Sequence, residues 1–302
     1  MTLTRNGILF RRLRILALSL FAGLLALEAA AQADAPALWR IAGPKGGTLY
    51  LFGSFHLLPP SVRWRTPQVE RALQASSAVV MEIDPAVAND PQTMLQLVMK
   101  HGVLPPGETL STVLPPALNA DLERTAGEFG LPSANLAPMR PWLAALTVSV
   151  QFIASKGFDP KAGVDHQIAD WARANGREIR SLETAEAQLR AFADLSRAEE
   201  IDLLRVTLEQ IREMPQILDQ ILAAYRAGDV AKLESTLNAG MDAVPALRKR
   251  LLRDRHAKWL PQIERMLADG RTRFLVVGAA HFTGKDGVIA LLRAKGLKVD
   301  GP

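Results

Sequence analysis

The 302-residue chain contains no cysteine. That absence excludes a disulfide scaffold, a thiol nucleophile, a cysteine zinc cluster and a lipid-modified N-terminal cysteine. Aromatic residues make up only 6% of the chain, and no Lys/Arg run is interleaved with them. Residues 1–33 hold four arginines and one glutamate, +3 of the formal net charge of +5, which leaves +2 on the remaining 269 residues. Such a chain has no basic footprint, so nucleic acid is not expected as a partner. There is no G-x-S-x-G serine elbow, no H-E-x-x-H zinc helix and no Walker phosphate loop. Gly46-Gly47 reads as a turn, not a phosphate cradle. Beyond residue 27 no apolar run approaches the roughly 20 residues needed to span a bilayer. Hydrophobic residues at 48% and charged residues at 22% exclude a disordered chain, a collagen-like chain and a coiled-coil rod.

Residues 1–33 have the pattern of a secretory signal peptide. Arg5, Arg11, Arg12 and Arg14 precede a 13-residue apolar stretch, residues 15–27, and small residues follow it up to Ala33. Cleavage is expected after Ala33 or Ala31, delivering a mature chain across the inner membrane, into the periplasm. A retained anchor is the alternative, although 13 residues are short for one. A twin-arginine signal is disfavoured because Arg14 stands where that motif wants a large apolar side chain.

The mature chain opens with two apolar runs around Pro44-Lys45-Gly46-Gly47, a hairpin signal spanning Leu38 to Gly53. A helix over Thr66–Ala75 has a threonine cap and a first-turn proline, and a buried strand over Ser76–Asp84 follows. Helical periodicity then recurs over residues 90–101, 115–130, 138–156 and 163–176. A short strand is expected at Glu178–Glu183. Helices are expected over 185–227 and 229–269, broken near Pro215 and Pro245. The C-terminus returns to a strand at Thr272–Val277, a helix at Gly287–Lys295 and a final short strand at Leu297–Val299. The expectation is an α/β (α+β) fold: a central mixed sheet assembled from N-terminal, middle and C-terminal strands, with a large helical central region. Residues 34–302 read as one domain, with an insertion or cap over approximately 90–260.

One internal repetition carries chemical information. Residues 48–56 read TLYLFGSFH and residues 273–281 read RFLVVGAAH. Each is an apolar strand followed by Gly-x-x-His. The glycine allows a tight turn, and the histidine is held at the carboxyl end of a strand, the edge where open α/β sheets bind ligands. Two adjacent strands of this kind would bring His56 and His281 together, and paired imidazoles suit a borderline divalent metal. Glu82 and Glu183 fall at matching points on two other strands. A metal-hydrolase site needs about three protein ligands, an open position and a base. The plainer readings are structural histidines, Glu82 on an exposed strand face, and Glu183 capping the next helix. Ser54 lies within the first motif, but Ala279 takes its place in the second.

Five phrases together, LWRIAGPKGGTLYLFGSFHLLP, VVMEID, GVDHQIADWARANGREIRSLETAEAQL, LLRDRHAKWLPQIERML and FLVVGAAHFTGKDGVIALLRAKGLKV, resemble the TraB/GumN family, which is related to the TIKI metalloproteases. The resemblance runs from about Leu38 to Val299. It implies a fold similar to that of erythromycin esterases and haem-binding ChaN-like proteins, and a divalent-metal-dependent protease with paired G-x-x-H motifs and an acidic residue. Carried onto this chain, those positions are Gly53/His56, Gly278/His281 and Glu82.

Two more positions complete the candidate set. Arg255 stands where the family usually has Arg followed by Asn; here His256 follows, and that departure puts any role for position 256 in doubt. Arg255 would stabilise an oxyanion or hold a carboxylate, or be an ordinary ion-pair residue. Asp165, in a G-[IV]-D phrase, would hydrogen-bond a ligand histidine or simply favour a helix N-terminus. His101 and His166 read as ordinary residues. Two functions follow. One is an exported hydrolase, a peptidase on a peptide or protein substrate. In it His56, Glu82 and His281 hold zinc, manganese or cobalt, Glu183 is base or fourth ligand, and Arg255 binds substrate or developing charge. The other is a non-catalytic binder of haem or a signalling peptide.

Overall fold

The computed structural model describes residues 34–241 and 244–302. The expected signal segment, residues 1–33, lies outside the described residues. Strands β1 (Leu38–Ala42) and β2 (Thr48–Ser54) pair antiparallel, with Leu38 opposite Phe52 and Ala42 opposite Thr48. The turn between them closes through Gly43 N–H donating to the Gly47 carbonyl at 2.7 Å, and Gly46 takes a φ of +91° that favours glycine. Thr66 caps the helix Pro67–Ala75 as its sequence foretold.

β3 (Ala78–Met81), β4 (Glu178–Ser181) and β5 (Arg273–Gly278) complete a five-stranded mixed sheet in the order β1-β2-β5-β3-β4. β2, β5, β3 and β4 run parallel, and only β1 is antiparallel. AVVM and the apolar stretch of RFLVVG are nearly continuous apolar runs because these central strands are covered on both faces. On one face Phe52, Val79, Met81, Phe274 and Val276 pack with Val69 and Leu73 of the Pro67–Ala75 helix and Ile168 and Ala172 of the helix Val164–Ala174. On the other, Leu51, Val80, Leu275 and Val277 meet Trp259, Ile263 and Leu267 of the helix Asp254–Ala268.

The helical centre builds a core of its own. Trp142, Ala145, Val148 and Phe152 of the helix Pro141–Ser155 pack against Leu204, Leu208 and Ile211 of the helix Arg197–Ile211. The expected long helical stretches are divided more often than proline alone predicts. A capping box at Ser196/Glu199 starts one helix, and left-handed Gly228 (φ +67°) ends another. A π-helical turn, Lys249–Arg253, leads into Asp254–Ala268.

The expected strand at Leu297–Val299 does not form. The chain pairs with β1 through a bridge between Asp300 and Arg40, to which Trp39 Nε1 adds a bond to the Pro302 carbonyl at 2.9 Å. The Gly296 turn (φ +82°) delivers it there late, so pairing begins only at Asp300. Among the described residues no helix is long and apolar enough to cross a membrane.

Candidate functional site

Four parallel strands end on one edge of the sheet, and each delivers one of the expected side chains. β2 leads to His56, β5 to His281, β3 to Glu82 and β4 to Glu183. The β3–β4 pairing continues past the strands: Leu182 and Glu183 N–H groups donate to the Met81 and Glu82 carbonyls, both at 2.9 Å. The two glutamates are thereby held side by side. Thr184, not Glu183, caps the helix Ala185–Ala193, which leaves the Glu183 carboxylate to face inward.

The glycines of the two motifs serve close approach. A Cβ on Gly53 would come to 3.0 Å from the Ala279 side chain, so the two G-x-x-H segments touch through backbone. Tyr225 Oη donates to the Gly53 carbonyl at 3.0 Å. Gly278 N–H donates to Glu82 Oε1 at 2.5 Å.

Arg255 is the hub. It is buried, and its five N–H groups are all engaged. Nε and Nη2 donate to Glu183 at 3.2 and 2.6 Å, and Nη2 also donates to Glu82 Oε2. Nη1 donates to the Leu251 carbonyl at 3.2 Å and to His281 Nε2 at 3.0 Å. Its guanidinium lies 4.6 Å from the Trp259 ring centre. Gln188 Nε2 adds a donor to Glu82 Oε2 at 2.7 Å.

The electrostatics follow from this packing. Burial alone would raise Glu82, but the facing His281, the Arg255 guanidinium and the Gly278 N–H outweigh it and hold the carboxyl at about 2. Glu183 is raised by burial, which its Arg255 hydrogen bonds only partly offset. Burial lowers His281 to about 3 and His256 to about 4, so both are neutral imidazoles near pH 7. His281 Nδ1 and His256 Nε2 lie 2.9 Å apart, and His256 Nδ1 reaches the Asp286 carbonyl at 2.8 Å.

His56 stands apart from this cluster. β2 and β5 are adjacent as expected, yet no hydrogen bond or ring contact links the two imidazoles directly. The reason is local. After β2 the Phe55 carbonyl accepts from Val164 N–H at 3.0 Å and the chain bends at His56 and Leu57, whereas after β5 it tucks into the 3-10 turn Ala279–Phe282. His56 Nδ1 instead lies 2.9 Å from Asp165 Oδ2, in the first turn of the helix Val164–Ala174. Burial would lower His56, but the hydrogen bond and charge of Asp165, with the charge of Glu82, raise it to about 9. Its ring remains 59% exposed on the floor of an open cleft of about 300 Å³. Glu82, Asp165, His166 and Gln188 line the same cleft, against apolar Ile83 and Pro85.

Three residues at or around the site are not among the expected site residues: His256, whose role the sequence puts in doubt, His166, read as ordinary, and Gln188, not singled out. His256 is fully buried against His281; its one available signal was the stripe 255, 256, 259, 263 on the inner face of its helix. His166 faces the cleft although nothing in its neighbourhood marked it. Gln188 reaches Glu82 from a helix start with no motif. His101 pairs with Glu186 at 2.8 Å, away from this cluster.

Residues 37–301 match the model of the TraB/PrgY/gumN family. The chain belongs to this family. It is also 24% identical over 315 aligned residues to the Metalloprotease TIKI2 of Danio rerio, across 87% of this chain and 60% of that protein. The chain thus spans about three-fifths of the relative's length. No solved structure matches it.

For a TraB/PrgY/gumN chain the metal implied by the resemblance can be weighed against these donors. His281 Nε2 and Glu82 Oε1 are 3.7 Å apart. Two ligands of a tetrahedral divalent centre, with bonds of about 2.1 Å, stand roughly 3.4 Å apart. Neutral imidazole and carboxylate are the donor types such a cation takes, and His56 backed by Asp165 is the usual carboxylate–histidine arrangement. The donor chemistry therefore fits. Arg255 Nη1 now engages the His281 lone pair, and among the described residues no three His, Cys, Asp or Glu side chains converge as a metal-holding group.

Proposed function

We propose that this protein is an exported metal-dependent hydrolase that cleaves peptide bonds. The observation that carries the reading is the pairing of a buried neutral His281 with ionised Glu82, 3.7 Å apart at the sheet edge beside an open cleft. Family membership and the distant likeness to a metalloprotease support it. His281, Glu82 and His56 would hold a divalent zinc, manganese or cobalt ion, which supplies Lewis acidity toward a carbonyl and acidifies water.

The chain's own residues do the rest. Asp165 holds Nδ1 of His56, and Nε2, which carries a proton at neutral pH because the pKa is raised to about 9, would release that proton on taking a cation. Glu183, with its pKa raised by burial, is the group suited to take up a proton as general base. Arg255 has no free N–H, so it acts as a positioning residue that aligns Glu82, Glu183 and His281, while its charge favours negative charge developing on substrate. Ile83, Pro85 and the rest of the cleft wall give a substrate chain apolar contact. Residues 34–302 act as one unit, with the helical centre as the substrate-selecting wall.

The test is elemental analysis of the chain from Asp34, purified without chelator, beside a His56→Ala/His281→Ala variant, followed by peptide-library cleavage. About one divalent ion per wild-type chain, none in the variant, and cleavage by wild type alone are expected. Neither metal nor cleavage in wild type supplied with manganese, cobalt and zinc would overturn the reading.

A further inference from the structure

We infer that His256 is a positioning residue: it fixes His281 in the tautomer that carries its proton on Nδ1 and a lone pair on Nε2, the atom facing Glu82. The inference rests on hydrogen-bond geometry, and its importance for the site rests on the hydrolase reading.

The row of contacts has two ends whose roles are not negotiable. At one end is the Asp286 main-chain carbonyl, which only accepts; at the other is the Arg255 guanidinium, which only donates. Between them stand two imidazoles and three contacts: Asp286 O to His256 Nδ1 at 2.8 Å, His256 Nε2 to His281 Nδ1 at 2.9 Å, and His281 Nε2 to Arg255 Nη1 at 3.0 Å. Three hydrogens must fill three contacts. The guanidinium supplies one, so each ring supplies one, and each places it on Nδ1. Any other assignment sets two N–H groups face to face. The assignment that satisfies the carbonyl end also satisfies the guanidinium end, and His256 is the group that joins the two.

The accepting end is itself immobilised. Asp286 is held through its side chain by Arg253, with Nη2 2.9 Å from Oδ2. Gly287 N–H donates to the Gly284 carbonyl at 3.0 Å, and a Cβ on Gly287 would collide with the Thr283 carbonyl. The rings are packed as well: His256 meets His281 edge-on at 5.1 Å between centroids, and Trp259 lies 4.6 Å from His281. Without an acceptor at position 256, the His281 Nδ1–H would be buried and unpaired. Moving that hydrogen to Nε2 would consume the lone pair and oppose Arg255.

The experiment compares wild type, His256→Gln and His256→Leu in the chain from Asp34, with 15N-labelled histidine. Glutamine keeps an acceptor for His281; leucine keeps bulk and removes it. Two-bond 1H–15N spectra in chelator report each tautomer directly, and the five histidines are assigned by single substitution. His281 is expected as the Nδ1–H tautomer in wild type and His256→Gln, and not in His256→Leu. Manganese and zinc titration should then show affinity about 10–100-fold weaker in His256→Leu and within about threefold of wild type in His256→Gln, as for loss and retention of a ligand's hydrogen-bond partner. A wild-type His281 protonated on Nε2, or an Nδ1–H tautomer that persists in His256→Leu, overturns the inference. If His256→Leu does not fold, the wild-type spectrum still decides. The expected tautomer in a protein that binds no metal would support the relay while counting against the hydrolase.

Discussion

Replacing Arg255 by methionine removes the guanidinium that pairs with both Glu82 and Glu183 while keeping a flexible apolar stem over Trp259. Both carboxylates have side chains less than one-tenth exposed, and Glu183 would lose both of its arginine hydrogen bonds. Removing one partner of a buried ion pair costs about 3–5 kcal/mol, because the charge left behind is uncompensated. For a chain of this size that is a fall in melting temperature of about 5–9 °C. The deficit should depend on pH with a definite sign. In the variant both folded-state carboxyl pKa values lie above their unfolded values, so the penalty is full at high pH and disappears as pH falls through them. In wild type Glu82 stays ionised down to about 2, so its favourable contribution persists well below neutrality. The gap between the two proteins should therefore narrow from pH 7.5 to pH 5. Thermal melts by circular dichroism in chelator measure it, and Glu183→Gln added to the variant should recover part of the loss. A melting temperature within 2 °C of wild type at pH 7.5, or a gap that widens on acidification, would refute the assignment of Arg255 as the hub.

Two other outcomes follow from the same geometry. His256 is neutral in the folded chain down to about 4 against an ordinary 6.5, so the unfolded chain takes up its proton first and stability falls as pH drops from 6.5 to 4, by about 3 kcal/mol from this residue; melts of His256→Gln over pH 7 to 4.5 should show a flatter profile, and an unchanged slope would count against it. Gly163→Ala would drive a methyl group into the His56 carbonyl and should cost about 1–3 kcal/mol, more than Gly127→Ala, where the added methyl meets open space; equal melting temperatures would show that this close approach is not a constraint.

Local features of the chain were readable where neighbouring residues decide them. The Gly46-Gly47 turn, the Thr66 cap, the apolar run before Glu82 and the two strand–Gly-x-x-His segments depend on backbone preferences and burial within a few residues. The fold class, with strands at both ends around a helical centre, followed from the same signals. Strand boundaries were read too generously at Ser76–Asp84 and Glu178–Glu183, because apolarity extends past the hydrogen-bonded ladder.

By itself, then, the sequence determined which segments are strands and helices and that two histidines and two glutamates sit at strand ends. Only the tertiary structure decided who meets whom. Strand order puts β5 between β2 and β3, so His281 rather than His56 lies beside Glu82, while His56 turns to Asp165. Arg255 and His256 reach the site from a helix more than 170 residues beyond Glu82 in the chain. Such partnerships are set by long-range burial: a charge or imidazole enclosed far from water must be matched by whatever group the packing brings to it, and no local pattern records that choice.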